Sequence, residues 1–506
     1  MTEEAQRETV AFLSDPQTHG GAEVETITTH ASRIFMAGDR VYKLKRAVKY
    51  SYLDFSTPER RGKSCAAELR LNRRTAPELY LDILPITRDA GGLKLGGGQG
   101  ESAGEAVDWV VVMKRFPQEA LFSHLAEAGQ LTPDLMRRLA DRIAAFHRDA
   151  DVTPEFGGIE GIEQVIRIND ENLRRDGPPA ISVAAAQALT EAARRAAADL
   201  APLLERRRAA GKVRECHGDL HLRNICLIDG APTLFDCIEF NRGLARIDVL
   251  YDLAFLLMDL IHRGDRTEAA IVFNRYLDVS DESDGIAAMP LFLSLRAWVR
   301  AHVTATAAKS GAGEATEARR YFDLARDFLK PRTPRLLAIG GLSGTGKSTI
   351  AAILAGQLEQ SPARVLRSDV IRKRLFGVDP EQRLQVDAYS KQTTERVYAK
   401  LEAEAGSAIE AGCSVILDAV SAKAEERAAF AALAKRLNVP FDGIWLEAPP
   451  EILRQRIGAR KNDASDADQA VLEKQLVYDL GTLDWHRIDA SPAPDAVADA
   501  ALNAIS

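Results

Sequence analysis

The sequence predicts two domains of different fold class, an α+β domain followed by an α/β domain that contains a parallel sheet. Residues 1 to about 116 contain strand-like segments around one helical stretch, and residues 117 to about 330 carry helical periodicity. Beyond residue 335, apolar strands alternate with helices, which is typical of a parallel sheet with crossover helices. A length of 506 residues allows roughly two to four domains.

The composition is that of an ordinary soluble protein, with 46% hydrophobic and 27% charged residues. A net charge of −7 disfavours a broad nucleic-acid-binding surface. The five cysteines show no CxxC spacing and are interpreted as reduced thiols. The N-terminus is acidic and polar, unlike a signal peptide, and no apolar run reaches the length of a membrane helix. We therefore expect a cytoplasmic protein without a membrane partner.

The first domain divides by its patterns into a β-rich lobe at 1–116 and a helical lobe at 117–330. Strand character in the first lobe falls on Val24–Phe35, Arg40–Lys45 and Trp109–Met113. The helical candidates are Pro58–Arg74, with proline in the first turn, and the 3.6-periodic segments Asp134–Arg148 and Val183–Arg208. The glycine-rich stretch Gly91–Gly104 fits no phosphate-loop motif and is interpreted as a hairpin tip.

A linker is predicted at Pro331–Pro334, where two prolines in four residues stop a helix and stiffen the connection. The P-loop-type domain would then occupy 335–506. Its strand candidates are Leu336–Gly340, Arg364–Ser368, Ser414–Asp418 and Gly443–Glu447.

Two polar segments in the first domain carry the residue types of a phosphoryl-transfer site. His217–Asn224 has the sequence HGDLHLRN, and a later apolar run ends in Asp236. An aspartate can accept the proton of an acceptor hydroxyl, while an asparagine five residues later and a second aspartate can hold Mg²⁺ on the phosphates of ATP. We therefore expect Asp219 to be the catalytic base, and Asn224 and Asp236 to be the metal ligands.

The same chemistry needs a cation on the ATP phosphates and a carboxylate that holds this cation. Lys43 and Lys45 lie on one face of a predicted strand, because side chains alternate along a strand. Lys43 is the preferred ATP-binding cation, Lys45 is the alternative, and Glu68 in the following helix is the expected partner. Glu239 remains open as a further carboxylate for metal or substrate.

The second domain contains a complete GxxxxGK[ST] motif between an apolar strand and a helix-compatible segment, the context that the motif requires. Glycines allow backbone N–H groups to face phosphates at the N-terminus of a helix. The lysine would reach the β- and γ-phosphates, and the final serine, Ser348, would ligate Mg²⁺. The expected ATP-binding residues are Gly341, Ser343, Gly344, Thr345, Gly346, Lys347, Ser348 and Thr349.

Charged residues at the ends of the other strands are candidates for the acceptor side of this domain. Asp369 could orient an acceptor hydroxyl as a catalytic residue or could N-cap the next helix, and the sequence favours neither interpretation. Arg372 is close enough in sequence to serve an anionic substrate. Asp418 ends an apolar run and suits a contact to Mg²⁺-bound water or to the acceptor.

Arginines that precede an acidic turn are candidates for a lid. Closing arginines neutralise charge that develops on a transferred phosphoryl group and exclude water. Arg454, Arg456 and Arg460 occupy such positions, and Arg456 and Arg460 are predicted to contact ATP.

The first set of motifs resembles the aminoglycoside phosphotransferase family, which is itself similar to choline and fructosamine kinases. The resemblance rests on His217–Asn224, on Asp236 and on the segment Asp248–Ala254, and it covers roughly residues 25 to 310. It implies a bilobal protein-kinase-like α+β fold, ATP and Mg²⁺ as cofactors, and a hydroxylated small-molecule acceptor. Thr28–Arg33, where protein kinases use several glycines, contains none.

Carried over to this chain, the resemblance makes Asp219 the base, Asn224 and Asp236 the metal ligands, and Lys43 with Glu68 the phosphate-anchoring pair. The sequence lacks an activation segment of the APE type, which argues against a protein substrate.

Residues 335–490 resemble the small P-loop kinases of the gluconate-kinase, zeta-toxin and polynucleotide-kinase type, which are often grouped with AAA-class ATPases. The resemblance rests on Gly341–Ser348, on Ser368-Asp369 and on the arginine-bearing segment. A ring-forming ATPase is a poor match, because the sequence shows no second-region arginine finger. The order of the two regions resembles bacterial fused phosphotransferase/ATP-binding proteins.

Together these patterns predict an ATP- and Mg²⁺-dependent phosphotransferase with two nucleotide sites that phosphorylates hydroxyl groups of small molecules. One alternative is a single catalytic half whose partner half senses nucleotide. Another is a nucleic-acid 5′-hydroxyl kinase in the C-terminal half, which the acidic balance and the lack of an aromatic stacking series disfavour. No nucleic-acid partner is expected, and the sequence predicts neither the acceptors nor the oligomeric state.

Overall fold

The computed structural model describes residues 6–29, 31–50, 53–96, 105–177, 181–309, 315–459 and 464–505. Residues 97–104 of the glycine-rich stretch lie outside these ranges. The chain forms two compact units, one made of Met1–Leu131, Ala145–Ile162 and Leu204–Leu256, the other of Thr132–Ala144, Glu163–Leu203 and Leu257–Ser506. The segment 331–334 is neither helix nor strand, and a domain boundary there remains a prediction.

The helices and strands are given in chain order. The helices are α1 (Arg7–Ser14), α2 (Pro58–Asn72), α3 (Phe122–Glu127), α4 (Pro133–Asp149), α5 (Gly158–Asp176), α6 (Val183–Ala209), α7 (Arg242–Ala245), α8 (Val249–Arg263), α9 (Arg266–Val279), α10 (Met289–Lys309), α11 (Ala315–Phe328), α12 (Lys347–Gln357), α13 (Ser368–Leu375), α14 (Lys391–Glu410), α15 (Ala424–Leu437), α16 (Pro450–Ala459), α17 (Gln469–Gln475) and α18 (Pro494–Ala504). The strands are β1 (Val24–Thr28), β2 (Ser32–Ala37), β3 (Arg40–Lys45), β4 (Lys49–Tyr50), β5 (Leu53–Asp54), β6 (Tyr80–Asp89), β7 (Gly92–Leu95), β8 (Glu105–Lys114), β9 (Val213–Glu215), β10 (Ile225–Ile228), β11 (Ala231–Leu234), β12 (Arg246–Asp248), β13 (Leu336–Gly341), β14 (Arg364–Arg367), β15 (Val415–Asp418), β16 (Phe441–Glu447) and β17 (His486–Asp489).

The N-terminal strands form a six-stranded antiparallel sheet in the order β1-β2-β3-β8-β6-β7. Strand β3 is hydrogen-bonded on both sides, and its register pairs Lys43 with Ile34 of β2 and with Val111 of β8. Helix α2 begins at Pro58, and the side chain of Thr57 caps it by accepting a hydrogen bond from a backbone N–H. These pairings hold the lysine-bearing strand rigidly.

The C-terminal strands form a five-stranded parallel sheet in the order β14-β15-β13-β16-β17. The central strand β13 is buried along its whole length, as expected for a strand covered on both faces. The predicted parallel sheet is confirmed. Strand β17 was not predicted, because its short HRID sequence contains no apolar run.

The structure also bears on the cysteines and on the possibility of a membrane-spanning helix. All five cysteines are free thiols, four of them buried. Among the described residues, no helix is both long and apolar enough to cross a bilayer.

Candidate active sites

The first candidate site is built on a pair of buried lysines that share one carboxylate. Lys43 Nζ donates to Glu68 Oε1 at 2.8 Å, and Lys45 forms an ion pair with the other oxygen of Glu68. Strand alternation brings both ammonium groups to the same face, where they meet α2. Burial alone would raise the pKa of Glu68, but the two ammonium groups outweigh it and lower the pKa to about 2. Both lysines proposed from the sequence therefore lie in one network.

Each lysine has a second acidic partner. Lys43 contacts Asp236, and Lys45 contacts Glu239, which also accepts a hydrogen bond of 3.1 Å from Ser64 Oγ. The side chain of Asp236 is 40% exposed and that of Glu239 is 5% exposed. Lys43 thus links Glu68 to the predicted metal ligand Asp236. Glu239, left open by the sequence, is buried against Lys45.

The hairpin of β10 and β11 brings the two predicted metal ligands together. It starts immediately after Asn224 and ends two residues before Asp236, and the Phe235 N–H donates to the Asn224 carbonyl at 3.0 Å. Asn224 Nδ2 donates to the carboxylate and the backbone carbonyl of Asp219, both at 2.9 Å. Since the amide nitrogen of Asn224 is used in this way, its side-chain oxygen is the atom suited to a cation.

Asp236 has a positive φ of 61°, which is uncommon for a residue with a side chain. Its backbone N–H donates to the Tyr80 hydroxyl at 3.1 Å. The turn at Asp236 accompanies the contact of its carboxylate with Lys43. Backbone strain of this kind is found at functional sites that the surrounding structure holds in place.

A buried aspartate supports the loop that carries Asp219. Asp252 accepts the backbone N–H groups of His217 (3.1 Å) and Gly218 (2.8 Å), and His147 Nε2 donates to the same carboxylate at 3.1 Å. Asp252 lies in the segment Asp248–Ala254 on which the family resemblance rests, but the sequence assigned it no role. His147 was not recognised from the sequence, because it is 105 residues from Asp252 in the chain. Through these hydrogen bonds Asp252 and His147 hold the backbone of the loop in place.

The two histidines of the loop are braced. His217 Nε2 donates to the Phe235 carbonyl at 2.9 Å, and burial lowers its pKa, so the neutral ring is favoured. His221 Nε2 lies 3.4 Å from Asp219 Oδ2, and its ring packs edge-on against Phe255. Asp219 itself is 37% exposed, so its carboxylate is accessible to an acceptor.

The second candidate site begins at the glycine loop between β13 and α12. Gly341, Gly344 and Gly346 have φ values of 137°, 88° and 89°. A Cβ at position 344 would lie 2.8 Å from the carbonyl oxygen of Leu453, so an L side chain would meet both strain and overlap there. The loop leads into the N-terminus of α12 at Lys347, the arrangement that favours an anion.

The side chains of Lys347 and Ser348, at the end of the glycine loop, donate hydrogen bonds to nearby oxygen atoms. Lys347 Nζ donates to the carbonyl oxygens of Gly341 (2.8 Å) and Leu342 (3.0 Å). Ser348 Oγ donates to Asp418 Oδ2 at 2.6 Å. Strands β13 and β15 are neighbours and pair Ile339 with Asp418, which is why the carboxylate lies beside the loop. The hydroxyl and the carboxylate together form an oxygen pair suited to Mg²⁺.

A cavity of about 1250 Å³ lies in front of the glycine loop, and its wall contains most of the residues predicted for this site. The lining residues among them are Ser343, Gly344, Thr345, Gly346, Lys347, Ser348, Thr349, Asp369, Arg372, Asp418 and Arg456. Gly341 forms the end of β13 just before the loop. Arg454 pairs instead with Glu473 at 2.8 Å, and Arg460 lies outside the described residues.

Asp369 and Arg372 stand on the first turns of α13. The N-cap of this helix is Arg367, so Asp369 does not have the capping role that the sequence allowed. Burial raises the pKa of Asp369, against the opposing effect of Arg367. The guanidinium of Arg372 lies 4.8 Å from the centre of the Tyr389 ring and donates to the Ala388 carbonyl at 2.9 Å.

Gln475 is a contact to the glycine loop that the sequence did not reveal. Its Oε1 accepts the backbone N–H of Ser343 at 2.8 Å, and both residues are buried. Helix α17, which carries Gln475, packs on α16 and the loop through Leu472, Leu453 and Leu342. A glutamine at the end of a short polar helix gives no sequence signal for this contact.

Asp466 has a similar linking role between the acidic turn and the segment after α13. Its carboxylate pairs with Lys373 (2.7 and 2.8 Å) and accepts hydrogen bonds from Leu384 N–H (2.9 Å) and the Tyr389 hydroxyl (2.6 Å). Leu384, Tyr389 and Asp466 all line the cavity, so these contacts join two segments of its wall.

In comparison with known proteins, each of the two regions matches a family model. Residues 40–291 match the model of the Phosphotransferase enzyme family, and residues 336–478 match that of the AAA domain. The chain thus joins a phosphotransferase-type kinase region with an antiparallel sheet to a P-loop region with a parallel sheet. Both resemblances drawn from the motifs are confirmed, and so are the two fold classes.

Individual relatives cover the whole chain or one part of it. An uncharacterized protein of Mycobacterium tuberculosis is 29% identical over 490 residues, which is 94% of this chain and 94% of the relative. The adenylyl-sulfate kinase of Myxococcus xanthus is 29% identical over 162 residues, 32% of this chain and 78% of that protein. The solved structure of a choline/ethanolamine kinase family protein from Mesorhizobium loti covers 65% of this chain and 95% of its own, with 14% identity and a TM-score of 0.42.

Proposed function

We propose that the chain is an ATP- and Mg²⁺-dependent phosphotransferase with two nucleotide sites, each of which transfers the γ-phosphoryl group to a hydroxyl group of a small molecule. The observation that supports this most directly is that each site places a lysine beside oxygen ligands suited to Mg²⁺. In the first site Lys43 bridges Glu68 and Asp236. In the second, Lys347 lies on the glycine loop next to the Ser348–Asp418 pair.

In the first site, Asn224 and Asp236 would hold Mg²⁺, which when bound neutralises charge on the phosphates. Lys43, fixed by Glu68, would orient the phosphates, and Asp219 would receive the proton of the acceptor hydroxyl. The acceptor oxygen forms a bond to the γ-phosphorus while the bond from that phosphorus to the ADP oxygen breaks. Asn224 keeps the Asp219 carboxylate directed, since it donates to it at 2.9 Å.

In the second site, Ser348 and Asp418 would hold the cation, and the amides of the glycine loop with Lys347 would bind the phosphates. Asp369 is the proposed proton acceptor for the second hydroxyl. Its burial raises its pKa, which makes the carboxylate a stronger base than an exposed aspartate. Arg456, on the cavity wall, would neutralise phosphate charge.

The acceptors are proposed to be small hydroxylated molecules, such as sugars, sugar acids, polyols or amino alcohols. The cavity of about 1250 Å³ holds both the glycine loop and polar acceptor-side groups such as Asp369 and Arg372, which suits a nucleotide and a small polar acceptor together. Neither a nucleic-acid partner nor a membrane partner forms part of this proposal.

The test measures acceptor-dependent ADP release and transfer of labelled γ-phosphate across such a panel, using the full chain. We expect Asp219→Asn to lower one activity by about 10²–10⁴-fold and to preserve the other, and Asp369→Asn to do the reverse. The exposed Asp199 provides the matched control, and Asp199→Asn should preserve both activities.

Three outcomes would contradict the proposal in distinguishable ways. No acceptor-dependent turnover by the unchanged chain would argue against a small-molecule kinase. If Asp219→Asn abolishes every activity and Asp369→Asn lowers none of them, the second half would be a nucleotide-sensing module. Transfer of phosphate to an oligonucleotide 5′-hydroxyl would identify a nucleic-acid kinase instead.

A further inference from the structure

Helix α9 belongs to the region that matches the Phosphotransferase enzyme family, yet it packs on the P-loop helix α12. Ala270 of α9 lies in the same buried apolar cluster as Leu337 of β13 and Leu354 of α12. The backbones approach so closely that a Cβ at Gly356 would lie 2.4 Å from the Arg266 carbonyl oxygen. Helix α9 therefore contributes to the core of the parallel-sheet region.

One side chain of α9 completes the free edge of that sheet. Among the described strands, β14 lies at the edge of its sheet, and one row of its backbone groups has no neighbouring strand there. Asn274 Oδ1 accepts the N–H of Val365 at 2.7 Å, and Asn274 Nδ2 donates to the carbonyl of Ala363 at 3.0 Å. The amide of Asn274, which is 8% exposed, thus takes the place of a strand.

Charged contacts reinforce this edge. Arg364 of β14 is nearly fully buried and pairs with Asp278 of α9 at 2.6 Å. At the other end of α9, Arg266 Nε donates to the Gly356 carbonyl at 2.7 Å, and its Nη2 donates to the Gln360 carbonyl at 3.3 Å. A cation at the C-terminal end of α12 satisfies carbonyls that the helix leaves unpaired. The opposite end of the same helix carries Lys347 and Ser348.

A third contact of α9 involves the wall of the cavity at the second site. Arg275 is 12% exposed and donates to Asp141 of α4 (2.6 and 3.0 Å) and to Glu381 (2.8 and 3.1 Å). Glu381 lies between α13 and α14, in the segment that supplies Arg383 and Tyr389 to the cavity wall. Through Glu381, Arg275 therefore ties α9 to the segment that forms this part of the cavity wall.

We propose that helix α9 is a positioning element of the second nucleotide site, even though it lies on the other side of the 331–334 linker. Through Asn274 and Arg266 it fixes the edge strand and the P-loop helix, and through Arg275 it fixes the acceptor-side wall. Order in α9 and nucleotide binding in the cavity are then coupled in both directions, because coupling free energies are reciprocal. The coupling to nucleotide rests on the proposed function, whereas the docking of α9 does not.

Hydrogen exchange of the full chain tests the docking without nucleotide. Asn274→Ala removes the acceptor of the Val365 N–H, and we expect exchange in β14 to accelerate by about fivefold or more. Arg275→Gln should accelerate exchange in residues 379–390 to a similar degree. Asn169→Ala and Arg174→Gln are the matched controls, because they remove a buried asparagine and an exposed arginine elsewhere in the helical region, and neither should change β14 or 379–390.

A second measurement connects α9 to the site. Addition of Mg·ATP should slow exchange in α9, and Lys347→Ala should abolish this protection. Asn274→Ala should weaken ATP binding at the second site by about threefold to tenfold. Arg275→Gln should raise the acceptor KM while ATP affinity stays within about twofold, a split that general destabilisation would not produce.

Unchanged exchange in β14 for Asn274→Ala would overturn the proposal, as would equal acceleration there in Asn169→Ala. If Asn274→Ala fails to fold, Asp278→Asn provides a milder break at the same edge, with the same expected response at Arg364 and Val365. A chain whose β14 responds as expected but which binds no ATP would refute the proposed function and leave the docking of α9 intact.

Discussion

The first site fixes its proposed phosphate-binding cation with side chains, and the second fixes its proposed phosphate-binding loop with backbone conformation. In the first, Lys43 and Lys45 share the buried Glu68. In the second, glycines with positive φ at 341, 344 and 346 shape the loop. The first site should therefore be sensitive to loss of charge, and the second to added volume. Substitutions that remove charge from the first site or add volume to the second test this difference.

The largest effect is expected for Glu68→Gln. This change removes the shared counter-charge of two buried ammonium groups, and a broken buried ion pair costs about 3–5 kcal/mol. Urea unfolding should report this loss of stability. The exposed Glu78 is the matched control, and Glu78→Gln should change stability by less than about 0.5 kcal/mol.

The difference in the free energy of unfolding between the wild type and Glu68→Gln should also depend on pH. Burial opposes ionisation of Glu68, but Lys43 and Lys45 lower its pKa to about 2, below the value of about 4.3 in an unfolded chain. The ionised carboxylate thus stabilises the fold fully above the unfolded value, and the contribution is lost as the pH falls towards 2. The gap between the wild type and Glu68→Gln should narrow below about pH 4; a gap that is constant down to pH 3 would contradict the network.

The next effect is expected for Gly344→Ala in the second site. The new Cβ would lie 2.8 Å from the Leu453 carbonyl at a φ of 88°, so the loop must shift. We expect ATP affinity at the second site to fall by at least about tenfold, since strained backbone costs of order 1–3 kcal/mol. Calorimetric titration with Mg·ATP measures this affinity.

Substitution of a second glycine distinguishes the effect of backbone strain from that of steric overlap. Gly412 has a φ of 81°, and no atom of the described residues lies within 4 Å of a Cβ placed at this position. Gly412→Ala should therefore cost stability through strain alone and leave ATP affinity unchanged. If Gly344→Ala also leaves ATP affinity unchanged, the glycine loop does not bind the phosphates as proposed.

The same contrast explains how much of each site could be predicted from sequence. The glycine loop is a local motif, and the structure places all of its predicted members at the end of β13 and at the cavity. Lys43 and Glu68 followed from the two-residue period of a strand and an adjacent helix. Asn224 and Asp236 flank a short hairpin, and Asp219 precedes Asn224 by five residues. In each case the residues that were predicted to act together are at most 25 positions apart in the chain.

What the sequence did not reveal depends on contacts between distant residues. His147 meets Asp252 across 105 positions, and Gln475 meets Ser343 across 132. Neither residue stands in a motif, because a histidine or glutamine that accepts or donates one hydrogen bond can occupy any helix position that the fold brings into range. The preference for Lys43 over Lys45 stays a prediction, because both lysines contact Glu68 in the structure.

The smallest of these effects is expected for Gln475→Ala, which tests whether the backbone-built site also depends on a side chain. Removal of its Oε1 leaves the buried N–H of Ser343 without this acceptor, at a net cost of about 1 kcal/mol, so ATP affinity should fall about fivefold. Gln469→Ala, on the exposed face of the same helix, should leave affinity unchanged. Tighter ATP binding by Gln475→Ala would show instead that the glutamine competes with phosphate for this amide. In that case the backbone of the glycine loop would bind the phosphates without support from the Gln475 side chain.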